Sequence, residues 1–137
     1  MSGCASAPLA SESADLSAKR FSPPSDKSNI YIVREDALLG SAILYQITLD
    51  GRMIGGIVAG TYLLAEVTPG RHVVSVFTVE NEESVPIEAT AGRNIFVEVV
   101  SSIGFSTWRG SISAVNEQAG RSLVQTSRRA KGLGLIP

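Results

Sequence analysis

A single imidazole, His72, is the one side chain here whose ordinary pKa suits acid–base work near neutral pH. It directly follows Pro69-Gly70-Arg71 at the start of a strand-like run, where hydrogen bonding to nearby backbone is the expected role. Serines are plentiful, but no G-x-S-x-G elbow exists. The nearest stretch, Gly104-Phe105-Ser106-Thr107-Trp108, has tryptophan at the final glycine. One histidine and one cysteine, far apart, do not supply a tetrahedral soft metal site. Glu80, Glu82, Glu83 and Glu88 form an acidic region without the Asp/Asn/Gly spacing of a calcium loop, so a solvated turn is the simpler reading. Gly132-Leu133-Gly134 is too short for a phosphate-binding pattern. The expectation is a chain that is not an enzyme and carries no cofactor and no metal.

The lone cysteine, Cys4, is the most informative residue. Met1-Ser2-Gly3-Cys4-Ala5-Ser6 looks like the end of a bacterial lipoprotein signal, in which two small residues precede the cysteine that receives the lipid. Small side chains are needed there because the signal peptidase has no room for larger ones beside the cut. Met1 stands where Leu is usual, and the charged and apolar segments of such a signal do not precede it, so the reading is of a shortened precursor. Residues 5–28 are rich in Ser and Ala, with Pro8, Pro23 and Pro24, and show no sustained periodicity. They read as a flexible tether spanning roughly 25–30 Å. A short helix over Leu9 to Arg20 would have only a thin apolar stripe. The domain division is therefore residues 1–28 as lipid-attachment segment and tether, and residues 29–137 as the folded domain.

Two features suit recognition. Residues 101–111 (SSIGFSTWRGS) place Phe105, Trp108 and Arg109 in a Gly- and Ser-rich connection, and aromatic-plus-arginine loops are frequent in binding surfaces. The simpler alternative has Phe105 and Trp108 plugging the open end of the fold, and the exposure of Trp108 separates the two. Beyond Val100, Arg109, Arg121, Arg128, Arg129 and Lys131 face Glu117 alone among acids. On a helix, Arg121, Arg128 and Arg129 share one side, either as a basic stripe or as its wet face.

The elements that must hold these residues are strands. Residues 40–79 contain strand-like runs broken by Asp50-Gly51, a glycine-rich link and Pro69-Gly70, all turn chemistry. Ile43, Tyr45, Ile47 and Leu49 alternate with Leu44, Gln46, Thr48 and Asp50, so the odd positions should face a core. Leu63, Ala65 and Val67 continue the scheme opposite Tyr62, Leu64 and Glu66. Residues 73–79, apolar on both faces, suggest a central strand covered on two sides. Pro86 demotes its run to an edge, residues 95–100 form a strong strand, and residues 112–115 a weaker one. Asn116 can cap a helix from Glu117 to about Ala130, with Ala119, Leu123 and Ala130 inward and Gly132 as its stop. Gly120 weakens its first turn. The spacing predicts an all-β, antiparallel sandwich of about seven or eight strands with one short C-terminal α-helix.

Composition agrees with a core: 44% of residues are apolar and 18% charged, too apolar for a disordered chain. A net charge of −1 argues against nucleic acid as a partner. No apolar run reaches the roughly 18 residues of a membrane span.

Gly40-Ser41-Ala42, Tyr45, Asp50-Gly51, Gly55, Gly60-Thr61-Tyr62 and Pro69-Gly70-Arg71-His72, in that order, resemble a bacterial lipoprotein family known as domain of unknown function 2846. Ile30-Tyr31-Ile32-Val33-Arg34 fits its opening strand, and Ala91-Gly92 with Phe96-Val97 a later one; residues 29–120 carry the likeness. The resemblance implies an Ig-like or transthyretin-like sandwich on a lipid anchor, with no assigned activity. The functional expectation is a non-catalytic structural or protein-interaction module in a bacterial cell envelope, anchored through Cys4. Ala5 in place of Asp favours the outer membrane facing the periplasm. The alternative is a small-ligand or glycan binder that stacks its ligand on the aromatic loop.

Overall fold

The computed structural model describes residues 7–38, 40–41, 43–105 and 107–133. Cys4 and its lipid-attachment motif lie outside them. Eight strands of five or more residues are β1 (Ser28–Arg34), β2 (Tyr45–Leu49), β3 (Arg52–Ile57), β4 (Thr61–Val67), β5 (Gly70–Phe77), β6 (Glu82–Ala89), β7 (Asn94–Ile103) and β8 (Trp108–Val115). A two-residue strand, β9 (Arg128–Arg129), and two helices, α1 (Glu12–Ala18) and α2 (Glu117–Gln125), complete the set. They form two facing sheets, ordered β8-β7-β1-β4-β9 and β3-β2-β5-β6: an all-β sandwich.

The alternating pattern sets which side chains meet between the sheets. Tyr45, Ile47 and Leu49 of β2, Leu63, Ala65 and Val67 of β4, Val74 and Val76 of β5 and Val97 and Val99 of β7 are buried in one core. Pairing is antiparallel except where β1 lies parallel to β7 and β4 parallel to β9. β6 is an edge strand, as its proline requires. The facing edge, β8, does not lie open: Glu83 Oε1 accepts from the Ile112 N–H at 3.1 Å, and Asn81 Nδ2 donates to the Gly110 carbonyl at 3.0 Å. Those bonds occupy backbone groups that would otherwise invite another strand.

The sequence-based reading needs four corrections. The expected tether is built into the domain from Pro8 onward. The Pro8 carbonyl accepts from Lys131, Ala10 donates to the Arg129 carbonyl, and Ser11 caps α1. Phe21 is buried against Tyr31 and Phe96, with ring centroids 5.3 and 5.8 Å away. The cause is a second apolar surface: β1 is buried on both faces, and Tyr31, Val33, Tyr62 and Phe96 point away from the inter-sheet core. Ala18, Phe21 and Val124, from α1 and α2, cover them.

Second, α2 ends at Gln125 instead of running to Ala130, because Arg128 to Ala130 extend beside β4 and bond it through the Gly60 and Tyr62 carbonyls. Third, α2 is rotated by about one residue from the expected phase. Gly120 and Val124 face inward while Ala119 is exposed. A Cβ on residue 120 would overlap the Phe96 ring, so glycine is what lets the helix approach the sheet. Fourth, residues 73–79 are not covered on both sides: β5 stops at Phe77, Val73 is partly exposed and Val79 fully so.

Candidate functional site

The two ends of the sandwich differ in chemistry. The turn end carries the tight connections, with Asp50 and Gly51 both at positive φ in the two-residue link between β2 and β3. His72 sits there. Its Nδ1 lies 2.6 Å from Asp50 Oδ2 and its Nε2 2.7 Å from the Thr68 carbonyl, while Asp50 Oδ1 accepts from the Val73 N–H at 2.8 Å. With an acceptor opposite each nitrogen, the ring is bonded best as the imidazolium. Burial pulls its pKa down, but the hydrogen bonds to Asp50 and Thr68 outweigh that and hold it above the ordinary value. Burial likewise pushes the Asp50 carboxyl up, and the bonds from His72 and Val73 more than reverse it. While so bonded, His72 has no lone pair to offer a substrate; it ties the β2–β3 turn to β5. Among the described residues no group of three His, Cys, Asp or Glu converges as a metal site would require.

The opposite end is formed by the described residues among 35–44, the β3–β4 turn at 58–60, the β5–β6 connection at 78–81 and the described residues among 104–107 between β7 and β8. A polar framework stiffens it. The Arg34 guanidinium, buried and 4.7 Å from the Tyr45 ring centroid, donates to the Ile43 and Gly40 carbonyls. It thereby holds the 35–44 loop across its base. Burial lowers the Arg34 pKa, offset in part by Tyr45. The Tyr45 hydroxyl bonds Ser101 Oγ and donates to the Arg109 carbonyl at 3.1 Å. Glu80 Oε1 accepts from the Phe105 N–H at 2.9 Å and pairs with Arg109 Nη1 at 3.2 Å. Asn81 adds its bond to Gly110, so the two hairpins are latched side by side. Glu98 nearby has its carboxyl pushed up by burial and by the charge of Glu35.

On this framework stand the most exposed large apolar side chains of the described residues: Leu38 and Val79 at 96%, Ile103 at 72% and Phe105 fully open. Of the residues picked from sequence, Phe105, Trp108 and Arg109 do come together here. Phe105 does not plug the fold. Trp108 and Arg109 are not loop residues but the first two of β8, and Trp108 is half-buried, paired across from Ile103. The arginine stripe does not exist. Arg121 lies on α2, bonded to Glu117 and 4.8 Å from the Phe21 ring centroid. Arg128 and Arg129 belong to β9, and Arg129 Nη1 donates to the Ala14 carbonyl at 3.2 Å. Sequence reasoning missed Leu38, Val79 and Ile103. Their signal is a large apolar residue outside any buried alternation, as with Val79 between Thr78 and Glu80.

Fold and site together define a two-sheet sandwich with helices on one outer face and an apolar, internally latched loop end. The chain belongs to the family described as protein of unknown function DUF2846, whose model matches residues 24–110, more than half of its length. It is also similar to an uncharacterized protein of Haemophilus influenzae, 26% identical over 125 residues that cover 90% of this chain and 74% of that one.

Proposed function

We propose that this protein is a non-catalytic domain of a bacterial cell envelope, held at a membrane by lipid on Cys4. There it serves as a structural or interaction module. The observation that supports this reading best is the loop end: exposed apolar side chains carried on a hydrogen-bonded framework, while the one imidazole is committed to a turn. Such a surface acts by contact. The two small residues before Cys4 support the anchor, and Ala5 after it supports the outer membrane facing the periplasm. Cys4→Ser in the full-length precursor tests the anchor. The variant is expected to remain unprocessed and yield no membrane-bound mature form; fractionation identical to wild type defeats the proposal.

The second reading, a glycan or small-ligand binder, is favoured by the full exposure of Phe105. It has less support from its neighbours, since Trp108 is half-buried and Arg109 is paired with Glu80. Titration with cell-wall glycan fragments, followed by Trp108 emission, tests it: saturable change supports binding, and a flat trace removes it.

A further inference from the structure

The outer face of the first sheet is not wholly covered by the helices. The chain leaves α1 at Ala18, and Phe21, at a φ of 54°, turns in against Tyr31. Beside that turn the sheet is left open, and a depression of about 540 Å³ lies between α1, residues 22–24 and strands β1, β4 and β9. Its volume falls within the roughly 300–1,000 Å³ typical of small-molecule sites. Its lining is polar, with Asn29 and Glu66 toward one end and Arg129 toward the other. Asn29 and Glu66 are paired across β1 and β4, so their side chains stand next to each other. Glu66 lies four residues along β4 from Tyr62, the partner of Arg129, which sets the Glu66 and Arg129 Cα atoms about 14 Å apart.

The hydrogen bonds leave these groups with capacity to spare. Asn29 is only 7% exposed, and its amide lies beside the Tyr31 hydroxyl, whose proton goes to the Ala18 carbonyl at 2.7 Å. The hydroxyl can therefore only accept from Asn29, and the Asn29 carbonyl oxygen takes no hydrogen bond among the described residues. The Glu66 carboxylate has no hydrogen bond or ion pair among the described residues either. Arg129 is half-buried and spends Nη1 on the Ala14 carbonyl, which fixes its guanidinium and leaves its other N–H donors open. Structural charge pairs in this molecule close directly, as Lys19 does on Asp15 and Arg121 on Glu117. Glu66 and Arg129 are instead held apart across a cavity. We propose that this depression binds a small zwitterion, an amino acid or short peptide with free ends, its ammonium on Glu66 and Asn29 Oδ1 and its carboxylate on Arg129. Neither Cys4 nor the loop end takes part, so the site is independent of the envelope reading above.

Calorimetric titration of the purified chain with trialanine tests this, with the N-acetylated and C-amidated peptides and free alanine as further arms. Trialanine should bind saturably. Acetylating its amine should weaken binding about threefold, because Glu66 is exposed and its attraction is screened. Amidating its carboxylate should weaken it about tenfold, because Arg129 is half-buried. Glu66→Gln should erase the difference between free and acetylated peptide, and Arg129→Gln the difference between acid and amide. Each variant is judged by its own ratio, so a general loss of affinity does not imitate either result. Glu66 is exposed, and an unchanged melting temperature confirms that its variant is folded. Phe105→Asp, on the loop end, should leave every titration unaltered. Alanine binding as tightly as trialanine identifies a single amino acid as the ligand, and tighter trialanine binding identifies a peptide. Absence of saturable binding by both at millimolar concentration overturns the proposal. So does equal binding of the free and capped peptides, or a free-versus-acetylated difference that survives in Glu66→Gln.

Discussion

At the scale of single residues, His72 and Asp50 form a latch whose strength depends on pH. The His72 pKa is raised in the folded state, so its contribution is full below the unfolded value of 6.5 and fades as pH rises through the folded value. The Asp50 pKa is lowered, so its contribution is present above 3.8 and lost as pH falls through the folded value. The pair therefore stabilises most between those two limits. Asp50 is 46% exposed, so solvent screening keeps the effect to about 0.5 kcal/mol. Thermal unfolding should show a small loss of stability from pH 6 to pH 9 in wild type, and His72→Gln should remove that slope. A slope of equal size in His72→Gln would assign it to other groups.

At the scale of elements, α2 is short and depends on its ends. Asn116 Oδ1 accepts from the Ala119 N–H at 2.8 Å, satisfying one of the donors that a helix start leaves free. Only nine residues long, α2 is marginal by itself and is held by Val124 and by the fit of Gly120 on Phe96. Asn116→Ala should cost about 1 kcal/mol by chemical denaturation with an unchanged slope. An effect within error would mean that packing alone sets the helix start. Asn116 was legible as a cap from its place before Glu117. The end of α2 was not, because nothing local distinguishes residues 126–130 as extended; the open backbone edge of β4 draws them out of the helix.

For the whole molecule, the N-terminal segment changes from appendage to structural part. Phe21, Tyr31 and Phe96 form one aromatic cluster, with Tyr31 and Phe96 stacked at 5.0 Å and the Tyr31 hydroxyl donating to the Ala18 carbonyl at 2.7 Å. Burial raises the pKa of Tyr31, as it does that of Tyr62, whose hydroxyl bonds Asp15. Phe21→Ala should cost about 3–5 kcal/mol. A residue in a flexible tether would cost nothing, so the melting temperature of this variant separates the two pictures.

The strands, their inward faces, the Asp50-Gly51 and Pro69-Gly70 turns and the edge position of β6 were all written in local patterns. Residues alternating at period two bury one face wherever they pair, and turn residues act through their own backbone torsions. The sequence also supported the family, since its ordered motifs are those same turns and strands. Tertiary structure decided what no local pattern encodes. Tyr31, Tyr62 and Phe96 on the outer face of the first sheet require a cover, and only the assembled sheet shows that α1, Phe21 and α2 supply it. Leu38, Val79, Ile103 and Phe105 are far apart in sequence, and each alone is an ordinary exposed apolar residue. They become one surface because the pairing of β1 with β7, and the bonds of Arg34, Tyr45 and Glu80, bring their loops to the same end. Sequence separation carries no information about that convergence; it arises from strand order and register, which are fixed by contacts among residues distant along the chain.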